Sequence, residues 1–283
     1  MGHATTVDGS RHVRLDQIDP ATVGGLTEAE ADARLQPMAG ELLELQELIY
    51  AAETHGVLVI LQGMDAAGKD VTIRHVFMSA NPESMRVKHF SHMTDEEEKH
   101  HFLWRAHLQT PGRGELVIFD RSYYEQAVLP QVQPDQDGQD GDADRVPERL
   151  DDIRHFERLL QHGGLLVFKF FLHVGKDEQE RRLIERMENI ETAWKISPRD
   201  WTARRSWDAY MTAYETTMNA TATTDAPWYV VPADHQWFHN LVVLETLVER
   251  LRPYRDGWIE ARNRRGEQER EEAREEAPEG VGA

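Results

Sequence analysis

Apolar residues in this chain fall into short continuous runs separated by longer stretches with helical periodicity. Val57-Leu58-Val59-Ile60-Leu61-Gln62, Arg86-Val87-Lys88-His89-Phe90-Ser91, Glu115-Leu116-Val117-Ile118-Phe119-Asp120, Leu165 to Leu172, and Trp228-Tyr229-Val230-Val231 read as strands. They are too short for buried helices and rich in β-branched and aromatic residues. Amphipathic helices are predicted from about Pro37 to Glu53, over Val71 to Met78, from Glu148 to Gln161, from Asp177 to Met187 and from Phe238 to Leu251. Thr94 with Glu97 forms a capping box, which predicts one helix carrying His100, His101, Phe102, Leu103, Trp104 and His107. Ser197-Pro198 opens another, bearing Trp201, Trp207, Tyr210 and Tyr214. Strands alternating with helices predict an α/β fold, a parallel sheet of about five strands flanked by helices. Residues 1–35 read as an extended arm, 36–256 as the folded domain, and the Glu- and Arg-rich 257–283 as a charged tail, either a frayed helix or a flexible segment.

The first apolar run leads straight into Gly63-Met64-Asp65-Ala66-Ala67-Gly68-Lys69-Asp70, a phosphate-loop pattern between a strand and a helix. Gly63 and Gly68 let the backbone curl so that its N–H groups line a nest at the positive end of the next helix. Lys69 adds a mobile charge for a terminal phosphate. Asp70 replaces the usual hydroxyl residue after that lysine, which leaves Asp65 as the substitute metal ligand. The plainer alternative is a glycine turn joining strand and helix. Asp120 ends an apolar strand, the place from which a carboxylate in such folds holds Mg²⁺. Arg121-Ser122-Tyr123-Tyr124-Glu125 follows it directly and suggests a segment folding over phosphates.

Arg182 and Arg186 lie one helical turn apart and share a face with Glu178. Two readings stand: an exposed salt-bridged stripe, or an arginine pair reaching phosphates. Segments at about 121–147 and 178–205 are candidates for a helical lid. Gln133 to Asp144, rich in Asp, Gln and Gly, reads as a solvated loop. The three histidines near Trp104 lack a metal-ligand spacing and read as surface or packing residues.

Composition narrows the setting. The 283 residues are 40% apolar and 29% charged, with no cysteine, so disulfides and thiolate metal sites are excluded. No apolar run approaches the roughly 18 residues of a membrane span, and no signal-peptide pattern opens the chain, so a cytoplasmic setting without membrane partners is expected. A formal charge of −19 argues against nonspecific nucleic-acid binding. A polyanion site would have to gather basic residues locally against that excess.

Seven ordered motifs carry a more specific likeness. The phosphate loop, Phe102-Leu103-Trp104-Arg105, Arg113-Gly114-Glu115, Phe119-Asp120-Arg121-Ser122-x-Tyr124-Glu125, Gln179-x-x-Arg182-x-x-x-Arg186, Trp194-Lys195 and Ala226-Pro227-Trp228-Tyr229-Val230-Val231-Pro232-Ala233-Asp234 together resemble the polyphosphate kinase 2 family, over roughly Val13 to Tyr254. The resemblance implies a phosphate-loop kinase with a lid that moves a phosphoryl group between inorganic polyphosphate and a nucleotide, with ADP/ATP, GDP/GTP or AMP as partners. It implies Mg²⁺ held by Asp65 and Asp120, Lys69 on the transferring phosphate, Arg121, Arg182, Arg186 and Lys195 along the polyphosphate path, Glu125 near the metal, and a homo-oligomer. The chain departs from the family pattern at Ser91 and Thr192, where lysine is usual, at Val71, where glycine is usual, and in the acidic segment from Gln133 to Asp144. An ATP-dependent nucleotide kinase would use the same loop and acids, and a non-catalytic polyphosphate or nucleotide binder is a third reading.

Overall fold

A computed structural model describes residues 2–133 and 143–276. Its strands are β1 (Thr5–Val7), β2 (Gly56–Gln62), β3 (Met85–His89), β4 (Leu116–Asp120), β5 (Leu165–His173) and β6 (Trp228–Pro232). They form one sheet in the order β1-β6-β5-β2-β4-β3, parallel except where β1 runs against β6. The five runs expected from the sequence are therefore β2 to β6. The sixth strand, β1, falls inside the expected arm; three residues of Thr-Thr-Val carry no local strand signal, and their pairing with Val230, Tyr229 and Trp228 makes them a strand.

The helices are α1 (Glu28–Ala52), α2 (Lys69–Val76), α3 (Asp95–Glu98), α4 (Trp104–His107), α5 (Glu125–Val132), α6 (Val146–His162), α7 (Lys176–Glu188), α8 (Pro198–Arg205), α9 (Trp207–Thr221), α10 (Gln236–Leu251) and α11 (Arg255–Glu276). Two expectations are corrected. Residues 28–35 are not extended: α1 starts at a capping box made by Thr27 and Glu30, nine residues before Pro37, and carries that proline inside it. The helix expected through His107 is two short pieces. The Thr94/Glu97 box holds only α3, and Trp104 begins α4 after an irregular turn. His100 stacks on Trp104 with ring centroids 4.1 Å apart, His101 meets Asp152, and His107 packs on Phe156. The acidic segment expected as a solvated loop falls largely on 134–142, outside the described residues, whereas 257–276 of the expected tail is helical, as part of α11.

Side-chain alternation explains how helices cover both faces of the sheet. On β5, Lys169 reaches Glu157 of α6 and Phe171 packs its ring on Tyr214 of α9, so the strand period of two turns Phe168 and Phe170 to the opposite face. β2 lies at the centre between β4 and β5 and is buried along its whole length. Strand order reverses around it, and the crevice beyond its C-terminal end is where open α/β sheets bind ligands. Lys169 looks out of place in an apolar strand. Its buried ammonium donates to Glu157 Oε2 at 2.7 Å, to the Thr221 carbonyl at 2.9 Å and to the Tyr124 hydroxyl at 3.3 Å, and Glu157 Oε1 accepts from both Tyr123 and Tyr124. This satisfied network ties the segment after β4 to α6, β5 and α9.

Candidate active site

The chain leaves β2 through Gly63, whose φ of 147° and close approach to the Leu172 carbonyl exclude any larger residue. It turns at Ala66 in the left-handed region (φ 63°) and enters α2 through Gly68 (φ 112°), where a Cβ would collide with the His239 ring. The open N-terminus of α2 thus faces the crevice. Met64, Ala66 and Ala67 form the buried wall of the loop. Lys69 is buried and folds back to donate to the Gly63 and Met64 carbonyls at 2.9 and 3.1 Å; burial pushes its ammonium below the ordinary value, while Asp65, Asp120 and Glu125 pull the other way.

Arg182 occupies the underside of this loop. Its Nε donates to Glu178 at 2.7 Å, Nη1 to the Ala66 and Ala67 carbonyls at 3.2 and 3.1 Å, and Nη2 to the Ala233 and Asp234 carbonyls at 2.7 and 2.8 Å. A guanidinium has five N–H donors and all of them are used. The arrangement combines the expected Glu178 pair with a contact that periodicity alone does not foresee: Arg182 clamps the outer carbonyls of the loop to the turn after β6. Because the peptides are trans, anchoring the Ala67 carbonyl outward turns the Gly68 N–H inward. Arg186, one turn further, acts electrostatically on Asp70 and Asp200. Lys195 bridges to Asp70 at 2.9 Å; burial raises that carboxyl, but Lys195, Arg186 and Lys69 outweigh it and hold it below the usual range.

Across the crevice, β4 ends at Asp120, in register with Leu61 of β2. Arg121 follows with φ 61°, a strained conformation for a residue with a side chain, fixed by its N–H bond to the Leu61 carbonyl. That kink directs the guanidinium to Asp65 and, at 3.8 Å, to Glu125. Burial opposes its charge, but Glu125, Asp65 and Asp120 outweigh burial and hold Arg121 protonated. Glu125 is largely withdrawn from water, and that desolvation raises its carboxyl above the ordinary value despite Arg121 and Lys69.

Lys69, Asp65, Asp120, Arg121 and Glu125 therefore meet in one neighbourhood, with Asp70, Arg186 and Lys195 along one side. Two further residues belong here that the sequence reading did not single out. Asp200 contacts Asp65, and burial followed by that carboxylate pushes its pKa up. Its signal was the second half of the capping box begun by Ser197, whose N–H donates to Asp200 at 3.0 Å. His89 ends the edge strand β3 and places Nδ1 2.9 Å from Asp120 Oδ2.

A divalent cation fits this arrangement on one side. Asp120 Oδ1 is buried and has no hydrogen-bond partner among the described residues, which leaves its lone pairs for a cation. Asp65 is engaged by Arg121 instead and would have to exchange that partner to join it. Among the described residues no set of three protein ligands forms, so phosphate oxygens and water would complete the shell, as Mg²⁺ tolerates.

The profile of the family described as polyphosphate kinase 2 matches residues 25–256. The chain belongs to the polyphosphate kinase 2 family. It is 45% identical over 241 residues to an AMP/ADP-polyphosphate phosphotransferase of Meiothermus ruber, covering 84% of this chain and 87% of that one. An ADP-polyphosphate phosphotransferase of Rhodopseudomonas palustris is 40% identical over 224 residues, 77% of this chain and 78% of that protein. The crystal structure of polyphosphate kinase 2 from Arthrobacter aurescens TC1 superposes with a TM-score of 0.79 at 34% identity, covering 87% of this chain and 88% of the other. This polyphosphate kinase 2 member is thus a phosphotransferase, of a family that moves phosphoryl groups between polyphosphate and nucleotides. No helix among the described residues is long and apolar enough to cross a membrane.

Proposed function

We propose that the protein transfers phosphoryl groups from inorganic polyphosphate to ADP and to AMP, reversibly and with Mg²⁺, in the crevice at the C-terminal ends of β2 and β4. The observation that carries this reading is the meeting of Lys69, Arg121, Asp65 and Asp120 at the mouth of the phosphate loop, in a chain whose curated relatives are named for those acceptors. The nucleotide's terminal phosphate oxygen is already anionic, so no strong general base is needed; positioning and charge neutralisation suffice. Asp120, and Asp65 once Arg121 lets go of it, would hold Mg²⁺, which when bound would supply charge neutralisation. Loop amides orient the transferring group, and Lys69 swings from the Gly63 and Met64 carbonyls to meet it. Arg121, freed from Asp65, turns to the equatorial oxygens. Arg186 and Lys195 bind the remainder of the polyphosphate, and the segment at 178–205 closes over it. The active species is a homo-oligomer.

The test is a donor-by-acceptor panel with Mg²⁺. ATP formed from ADP and polyphosphate, and ADP from AMP and polyphosphate, are the expected products. Phosphorylation by ATP with none by polyphosphate would establish the ATP-dependent kinase instead. Tight binding of polyphosphate without turnover on any nucleotide would leave a binding protein. Lys69→Ala and Asp120→Asn should each reduce turnover by at least about a hundredfold, the size of effect expected for groups that neutralise transition-state charge.

A further inference from the structure

Asp120 presents its two oxygens to different surroundings. Oδ1 is buried and unpartnered among the described residues, while Oδ2 lies 2.9 Å from His89 Nδ1. An ionised carboxylate only accepts, so Nδ1 carries the proton and donates. Strand pairing makes this contact reproducible: His89 and Asp120 are register partners on β3 and β4, and the next residue's N–H, that of Phe90, donates to the Asp120 carbonyl at 3.1 Å. The backbone and side chain of Asp120 are therefore both held from the same edge strand. A carboxylate pinned at Oδ2 cannot rotate freely about χ2, so Oδ1 keeps one direction.

We infer that His89 is a positioning residue for the divalent cation: its Nδ1–H fixes Asp120 so that Oδ1 alone, as a monodentate ligand, meets the metal. The inference rests on the proposed metal role of Asp120. Hydrogen-bond partners of ligating groups commonly govern metal affinity by about 10–100-fold. His89 is suited to a test because its side chain is 58% exposed, so its replacement opens no cavity in the core. Two replacements separate the donor from the shape. In asparagine Nδ2 occupies the place of Nδ1, one bond beyond Cγ, and donates; in leucine a methyl group occupies it and does not.

The experiment titrates the full-length protein with Mn²⁺ alone and follows loss of the free ion's six-line electron paramagnetic resonance spectrum. His89→Leu should raise the Mn²⁺ dissociation constant about tenfold or more, and His89→Asn should restore it to within about threefold of the parent. In the kinase assay, the loss caused by His89→Leu should be larger at limiting than at saturating Mg²⁺. Asp120→Asn is the control for the underlying reading. If it leaves Mn²⁺ binding unchanged, or the parent binds none, the metal role of Asp120 fails and this inference with it. Binding that is lost in Asp120→Asn yet unchanged in His89→Leu overturns the positioning role alone. Equal weakening in the leucine and asparagine variants also overturns it, since the donated hydrogen bond would not be the cause. Circular dichroism melts of each variant show that the fold is retained.

Discussion

Replacing Arg182 separates a clamp from a substrate contact. In the structure its guanidinium is buried and spends four of its donors on carbonyls, two from the phosphate loop and two from the turn after β6. Glu178 would not be orphaned by its removal, because Arg181 also donates to Glu178 Oε1 at 2.7 Å. The four carbonyls would. At the low end of about 1 kcal/mol per buried acceptor left unmade, Arg182→Leu costs about 4 kcal/mol. With an unfolding entropy that grows with chain length, a chain this long loses about 2 °C of Tm per kcal/mol, so the melt should fall by about 8 °C. Arg182→Lys brings three donors on one nitrogen and cannot reach to both sides, so about half that loss is expected.

The assay pairs thermal melts with hydrogen exchange over residues 64–69 and with steady-state kinetics at two salt concentrations. Loss of the clamp should speed exchange in the loop and lower kcat for every acceptor. Arg186→Ala is the contrast: it should leave the melt within about 1 °C, a surface-scale effect, and raise the KM for polyphosphate in a salt-dependent way. An Arg182→Leu variant that melts like the parent and shows only the raised, salt-dependent KM would refute the clamp and return Arg182 to the polyphosphate path.

Three more outcomes are expected. Lys169→Met should destabilise by about 3–5 kcal/mol because Glu157 is left buried without its counter-charge, with only the two tyrosine hydroxyls to satisfy it, and the double variant with Glu157→Gln should recover part of that in urea unfolding. The His239 imidazole is buried, has no partner for either ring nitrogen among the described residues, and is pushed down to about 3. Between that value and the unfolded value of 6.5 the unfolded chain binds the extra proton, so stability falls as pH drops, by about 1.4 kcal/mol per pH unit at most. His239→Phe should flatten that slope in urea titrations at pH 7 and pH 5. Burial raises Glu125, so the folded state holds its proton more tightly and stability declines as pH climbs from the unfolded pKa toward the folded one. Glu125→Gln should therefore melt at or above the parent near neutral pH, lose that advantage in acid, and be slower in turnover; a variant that melts well below the parent at neutral pH would show that the carboxylate's pairing with Arg121 outweighs its burial.

Local pattern revealed most of the scaffold and much less of the site. Four of the five runs, β2, β4, β5 and β6, became strands that are buried along most of their length, and nothing in a parallel sheet asks for alternation there, whereas β3 is a half-exposed edge strand held by its pairing with β4. β1 was hidden because its strand character comes from β6, 220 residues away in sequence, and α1 began early because the Thr27–Glu30 box outweighed the proline within it. At the site, the loop glycines and Lys69 stood out by their spacing, and Asp120 by its place at the end of an apolar strand. Arg182 was named but its clamp on the loop was not foreseen, nor was the place of Asp200, since their partners are carbonyls and a carboxylate supplied by distant segments. His89 carried no spacing signal at all; only the β3–β4 register brings it to Asp120.

The charge of the site bears on the proposed metal. Lys69, Arg121, Arg182, Arg186 and Lys195 are interleaved with Asp65, Asp70, Asp120, Glu125, Glu178 and Asp200, so the neighbourhood holds no positive excess to oppose the chain's overall −19. Arg121 is held by Asp65 and Glu125, Lys195 by Asp70, and Lys69 by loop carbonyls. A polyphosphate arriving here gains attraction only by taking over these partners, and each exchange releases a carboxylate that must find a new counter-charge. Under the proposed function a divalent cation held by Asp120 and Asp65 would meet that need, pairing with the carboxylate that Arg121 releases and leaving the arginine free for phosphate oxygens. Under the proposed function Mg²⁺ and polyphosphate would enter as coupled ligands, with the Arg121–Asp65 and Lys195–Asp70 pairs changing hands on binding.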